Sequence, residues 1–168
     1  MPLLSARWLA SLPVKYGHQS VGRSVRVWFD LNTGQGLGLF VTSGQSTRFL
    51  SRPDARLEEH SIAISQKTCL TTVTKPSRAS VVSQIDRHLI GAAVETEDGR
   101  RVGILKDLLL TEYDWRIMQL VVSEKDGDRL LTRDVIVALA DNLITVQNDV
   151  LNALTSSWIS PPSMELIH

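Results

Sequence analysis

Arg48-Phe49-Leu50-Ser51-Arg52 (RFLSR) is answered eighty-one positions later by Arg129-Leu130-Leu131-Thr132-Arg133 (RLLTR). Both arginines, the central leucine and the small hydroxyl residue recur in register. A purely local echo would be chance, so the flanks decide. At the same offset Val21-Gly22 falls on Val102-Gly103, and Leu39 and Val41 fall on Leu120 and Val122. Past RFLSR one inserted residue moves Leu57 onto Leu139 and Ile62 onto Ile144, and Ile64 onto Val146. Upstream, with one gap, Val14 falls on Val94. Most matches are apolar or glycine, the positions a fold constrains hardest. The period is too long for a common solenoid unit. It predicts duplication of a whole small domain, over Ala10–Gln66 and Leu89–Gln147.

The second copy is the easier to read. AAVETEDGRRVGILKDLLL is two apolar runs joined by Glu97-Asp98-Gly99, and Asp-Gly between such runs signals a hairpin because both residues tolerate positive φ. RIMQLVVS is apolar on both faces and reads as a central strand. Lys125 to Asp128 is a turn, DRLLT a short strand, VIVAL another run, Asp141-Asn142 a turn and LITVQ the last strand. Short strands with frequent turns predict a small antiparallel barrel or sandwich. The first copy repeats the skeleton as SLPVKY, VGRSVRVWFD, LGLFVTS, TRFLS and SIAIS, with turns at Gly17-His18 and Asn32-Thr33-Gly34. Pro76, Ser77 and Ser80 break the chain between copies, Val82 to His88 reads as a short helical turn, and NDVLNALTSSW as an amphipathic helix capped by Asn148.

Composition narrows the classes. The 168 residues are 43% apolar and 21% charged, with 18 basic against 18 acidic side chains and no net charge. That is globular composition without a general field for nucleic acid or an anionic membrane. The single cysteine, Cys69, has no partner for an internal disulfide, which fits a reducing compartment. No apolar run is long enough for a spanning helix, and MPLLSARWLASLPV makes a poor signal peptide, with Arg7 its one charge and no long apolar core. The expectation is a cytoplasmic protein.

The stretch LIGAAVETEDGRRVGILKDLLLTEYDWRIMQLVV resembles the opening of a PRC-barrel domain. That family begins Leu-Ile-Gly, then valine, has an Asp-Gly turn, a Gly-x-Val/Leu-x-Asp segment, and an aromatic or arginine turn into Leu-Val-Val. Here these are Leu89, Ile90, Gly91, Val94, Asp98, Gly99, Gly103, Asp107, Trp115, Arg116, Leu120, Val121 and Val122. RLLTRDVIVALADNLITV is similar to the closing strands. The first copy departs from the pattern: Ser11 replaces the first glycine, His18-Gln19 the Asp-Gly turn, and Arg26 stands where Asp107 does. The resemblance implies an all-β fold: two small antiparallel β-barrels related by internal duplication, with short helices at the linker and C-terminus. The expected division is 1–66 first repeat, 67–87 linker, 88–147 second repeat, and 148–168 C-terminal helix and tail. The two copies should pack across a pseudo-two-fold interface, because a barrel of about sixty residues is marginal alone.

The resemblance also implies contact-making rather than catalysis. Relatives include the cytoplasmic part of the photosynthetic reaction-centre H subunit, the C-terminal domain of a ribosome-maturation factor, and many bacterial and archaeal proteins. The expected function is a non-enzymatic adaptor that docks on another protein or a protein complex, with no cofactor. The alternatives are an RNA- or ribosome-maturation factor, which zero net charge disfavours, and a small ligand-binding protein, for which no deep polar pocket is expected. Peripheral docking to a membrane complex and a homodimer remain open.

Residues with chemistry are read against their structural alternatives. Gly34, Gly36 and Gly38 in GQGLG lead into a strand, not the helix a phosphate loop needs. His18, His60, His88 and His168 lack metal-ligand spacing, and Glu124 to Asp128 reads as a solvated turn rather than a calcium loop. No Gly-x-Ser-x-Gly elbow occurs, and Cys69 lies in apolar sequence as an inert thiol. Trp28 and Trp115 lie near the same hairpin in the two copies and read either as closing a barrel end or as interface anchors. The candidate interaction residues are Trp115, with Tyr113 and Arg116 beside it as an exposed anchor, and Arg48, Arg52, Arg129 and Arg133. Strand alternation puts Arg48, Leu50 and Arg52 on one face, either as charges guarding an edge strand or as a repeated basic stripe for an acidic partner.

Overall fold

The computed structural model describes residues 2–72, 89–140, 142–152 and 158–159. The protein is mostly β, as expected, and curls into a half-barrel. The first half runs β1 (Leu3–Ser5), the single-turn helix α1 (Ala6–Leu9), β2 (Pro13–Tyr16), β3 (Gln19–Asp30), β4 (Gln35–Ser43), β5 (Ser46–Ser51), β6 (Arg56–Leu57), β7 (Ile62–Ile64) and β8 (Leu70–Thr72). The second runs β9 (Ala93–Thr96), β10 (Arg101–Thr111), β11 (Ile117–Glu124), β12 (Gly127–Thr132), β13 (Ile136–Ala140), β14 (Leu143–Val146) and β15 (Trp158–Ile159).

Among the described residues these strands make two sheets. One has the order β6-β7-β2-β3-β4-β5-β8, the other β13-β14-β9-β10-β11-β12-β15. Element for element the two orders are the same. Each contains one parallel pair, β2 with β7 and β9 with β14. Each has 3₁₀ turns at matching places, Arg52–Asp54 and Lys67–Cys69 against Arg133–Val135 and Asn148–Asn152. Registers match as well. Val41 faces Arg48 and Leu39 faces Leu50; in the other sheet Val122 faces Arg129 and Leu120 faces Leu131. The bulges between Ser24 and Arg26 and between Trp28 and Phe29 recur between Leu105 and Asp107 and between Leu109 and Leu110.

Alternation along these strands sorts the side chains. Val41, Leu39 and Leu50 point inward with Val122, Leu120 and Leu131, and a single apolar cluster draws on both sheets. On the outer faces lie two smaller clusters at matching positions: Trp28, Phe40 and Phe49 in one sheet, and Leu109, Val121 and Leu130 in the other. Sharing one core is how two units of this size gain the burial that either lacks alone. Gly103 lets β10 approach β11 closely. A Cβ there would stand 2.4 Å from the Ser123 carbonyl oxygen and 2.8 Å from Val122 Cγ1. Gly22 is as tight against Thr42 and Val41, at 2.7 Å from each.

Three segments differ from their sequence reading. The N-terminal residues do not stay with the first half: β1 pairs antiparallel with β10. The buried Asp107 carboxylate draws it there by accepting from Ser5 Oγ and from the Arg7 amide at 3.1 Å, while the Leu108 amide of β10 itself also donates to it at 2.7 Å. The linker begins later than residue 67, because β8 pairs with β5 and Leu70 packs on the core. Thr71 and Thr72, β-branched, suit that edge. The helix expected over 148–158 is instead a 3₁₀ turn at Asn148–Asn152 and a strand at Trp158–Ile159 on β12; residues 153–157 lie outside the described set. Asn148 does not cap a helix. Its side-chain oxygen accepts from the Asp98 amide at 3.0 Å, and the Val150 carbonyl accepts from Arg129 at 3.1 Å. The helical turn expected at Val82–His88 also lies outside the described residues.

Candidate functional site

The two halves meet through the tips of their long hairpins. Gln35, the first residue of β4, bridges antiparallel to Arg116. The Gly36 amide donates to the Trp115 carbonyl at 2.8 Å, and the Ile117 amide donates to the Gly34 carbonyl at 2.9 Å. Each of these contacts joins residues that stand eighty-one positions apart or exchanges such residues between its two ends. The local symmetry is therefore two-fold, with its axis at the Gln35–Arg116 bridge.

Trp115 belongs to this junction. It is 2% exposed and sits in the core, so its reading as an exposed anchor is overturned. Its backbone is left-handed at φ 54°, and Gly34 at the matching position has φ 73°. The β10–β11 turn enforces this conformation. The Trp115 amide donates to the Thr111 carbonyl at 3.0 Å, the Arg116 amide donates to Thr111 Oγ1 at 3.0 Å, and the Thr111 hydroxyl donates to Asp114. That hydroxyl, and then the Arg116 charge, hold the Asp114 carboxyl below its ordinary range. The indole lies over Gly36, where an added Cβ would come within 2.8 Å of the Trp115 Cβ. The glycines of GQGLG thus serve the turn, this contact and the close approach of Gly38 to Leu50.

Tyr113 is what the turn shows to solvent. It is 88% exposed, and its carbonyl accepts from Arg52 Nη1 at 3.2 Å. Arg116 is half-buried, with Nε 3.7 Å from Asp114 Oδ2. Arg52 and Arg133 both begin 3₁₀ turns rather than continuing their strands, so neither shares the strand face with Leu50 or Leu131. Each lies beside the other half's hairpin: Arg52 at Tyr113, and exposed Arg133 in a cleft of about 210 Å³ with Asn32 and Thr33.

Arg48 and Arg129 share the inner-facing register opposite Val41 and Val122, but their settings differ. Arg129 is buried, its Nε 2.7 Å from Glu124 Oε2. Arg48 is exposed and borders a cleft of about 290 Å³ with Lys67, Ser43 and Ser46. The four arginines therefore do not form one repeated basic stripe. Within the acidic stretch at Glu124 to Asp128, Glu124 pairs with Arg129 and Asp128 with Lys106, each at 2.7 Å.

Among the described residues no cluster of three or more histidine, cysteine or acidic side chains is placed to hold a metal. His18 and His60 are exposed, and His88 and His168 lie outside the described set. Cys69 is a half-buried free thiol against the core. No described helix is long and apolar enough to cross a membrane. Sequence reasoning missed Lys67 and the serines of the Arg48 cleft. The signal that could have found them is the Ser43/Glu124 mismatch in the aligned halves. Compared with known protein families and with curated proteins, the sequence matches none.

Proposed function

We propose that the chain is an internally duplicated pair of PRC-barrel-like units acting as a non-enzymatic adaptor that docks on another protein or protein complex. The duplication is supported by the shared strand order, the matched registers and bulges, and the reciprocal hydrogen bonds about the Gln35–Arg116 bridge. The PRC-barrel reading is supported by motif residues in fitting roles. Gly99 has φ 86° in its turn, Gly103 gives β10 a close approach to β11, and Asp107 anchors a backbone segment.

The observation that carries the adaptor reading is Tyr113. A large side chain 88% exposed, on a turn pinned by Thr111 and Arg52, is held ready at little ordering cost. Tyrosine and arginine are the side chains that concentrate interface energy. Tyr113 therefore takes the role that the sequence reading gave to Trp115. Among the described residues Arg48, Arg52, Arg129 and Arg133 are dispersed, which weighs against the RNA reading.

The test is quantitative capture from cells that make the protein, with wild type and Tyr113→Ala as paired baits of equal melting temperature. A specific protein retained by wild type and depleted on the variant supports docking at this turn. Equal retention on both baits refutes it, as does enrichment of RNA in place of protein.

A further inference from the structure

We propose that the open end of the first sheet, at Arg48 and Lys67, is a binding site for a small dicarboxylate. The inference is independent of the adaptor reading and rests on a comparison of the two ends of this molecule. Arg48 and Arg129 occupy the same register, opposite Val41 and Val122. In the second sheet the protein supplies the anion itself. Glu124 reaches Arg129 at 2.7 Å, the Val150 carbonyl takes a further hydrogen bond at 3.1 Å, and that end is closed. In the first sheet Ser43 stands at the position of Glu124. The carboxylate is gone and the arginine remains.

What replaces it is a cleft of about 290 Å³. Its floor is apolar, from Val21, Val41 and Leu70, and its rim carries Arg48, Lys67, Ser43 and Ser46 with Gln19 and Ser20 beside them. Lys67 comes from the Lys67–Cys69 turn, and its Nζ lies 5.8 Å from the Tyr16 ring centroid, a cation–π distance that keeps the ammonium near the rim. Every polar side chain on the rim can donate a hydrogen bond, and none of the described lining residues carries a carboxylate. Arg48 offers the planar fork that receives a carboxylate in two parallel bonds, and Lys67 offers a second point charge. Two cations over an apolar floor suit an acid with a carboxylate at each end of a short methylene chain. The volume is at the small end of ligand pockets, large enough for such an acid and small for a nucleotide.

The second half also suggests the decisive variant. Ser43→Glu restores to the first sheet the carboxylate that Glu124 provides in the second, so the site should fill itself. Amide chemical shifts of the full chain are followed during titration with glutarate at constant ionic strength, against glutaramide, inorganic phosphate and sodium chloride. Saturable shifts at Ser43, Ser46, Arg48 and Lys67 are expected with glutarate and not with glutaramide. Ser43→Glu and Arg48→Ala should each weaken binding at least tenfold, with the spectrum of the second sheet unchanged to show that both variants fold. A Gly-Glu-Gly-Glu-Gly peptide decides between a free acid and a protein side chain as the source of the carboxylates. Tighter binding of the peptide at the same amides assigns them to a partner protein and overturns the small-acid assignment. Equal shifts with chloride or phosphate, unchanged affinity in Ser43→Glu, or no saturation by about 10 mM, weaker than the millimolar end of the affinity scale, also overturn the proposal.

Discussion

Trp115 combines two features that pull stability in opposite directions, and replacing it separates them. The indole is 2% exposed in the shared core, and truncating a buried tryptophan to alanine costs about 3–5 kcal/mol. The backbone is left-handed at φ 54°, which costs a residue with a Cβ about 1–2 kcal/mol. Trp115→Ala loses the packing and keeps the strain. Trp115→Gly loses the same packing and releases the strain, against an unfolded-state entropy penalty of about 0.4–1 kcal/mol. Glycine should therefore be the more stable of the two by about 0.5–1 kcal/mol, the reverse of the order in ordinary backbone. For a chain of this size each kcal/mol moves the melting temperature by about 2–4 °C, so Trp115→Ala should melt about 6–20 °C below wild type. A third variant tests the contact itself. Gly36→Ala drives a Cβ to 2.8 Å from the Trp115 Cβ, so it should destabilise wild type more than it destabilises Trp115→Gly. Equilibrium urea unfolding followed by circular dichroism measures all of these. A Trp115→Ala protein within about 0.5 kcal/mol of wild type, the scatter typical of surface changes, would remove the indole from the core. Alanine more stable than glycine by about 1 kcal/mol, as in a right-handed helix interior, would remove the left-handed turn.

Two further outcomes are expected. Gly103→Ala should destabilise by about 1–3 kcal/mol, because its Cβ meets a backbone oxygen that cannot rotate away; a melting temperature equal to wild type would show that β10 and β11 are not so close. Burial raises the Asp107 carboxyl above its ordinary value, against the opposing hydrogen bonds from Ser5 and from the Arg7 and Leu108 amides. The folded chain therefore holds that proton more tightly than the unfolded one. The stabilisation this gives is complete below the ordinary carboxylate value and is lost as pH rises through the raised one. Asp107→Asn keeps an acceptor for both amides and should flatten that part of the stability curve, while identical pH slopes in the two proteins would contradict the assignment.

The strand rhythm was legible because it is local. Alternation, Asp98-Gly99 and the turn at Asn32 to Gly34 are written within a few residues of the elements they define. The eighty-one-residue offset aligned Leu39 with Leu120 and Leu50 with Leu131, and the structure pairs Leu39 with Leu50 and Leu120 with Leu131 across matching strands. What stayed hidden depended on distant partners. Trp115 lies among Glu112, Tyr113 and Asp114 and so looked exposed, but its neighbour in space is Gly36 of the other half. The one clue was that the repeat aligns it with Gly34, whose left-handed role it takes over. Arg129 looked like a surface charge until Glu124 came to it across a tight hairpin. β1 and β15 are three and two residues long, too short for any periodicity, and each exists through its pairing with β10 or β12. Arg52 and Arg133 left their strands because a 3₁₀ turn begins at each.

The central claim is that two equivalent halves form one cooperative unit through the Gln35–Arg116 bridge. Native-state hydrogen exchange at the Gly36 and Ile117 amides tests it most directly, since each donates across the junction, at 2.8 Å and 2.9 Å. Both amides should be strongly protected and exchange with one common free energy, that of global unfolding, as should core amides of β4 and β11. Rapid exchange at either amide, or separate opening energies for the two sheets, would mean two independent domains on a tether and would contradict the account.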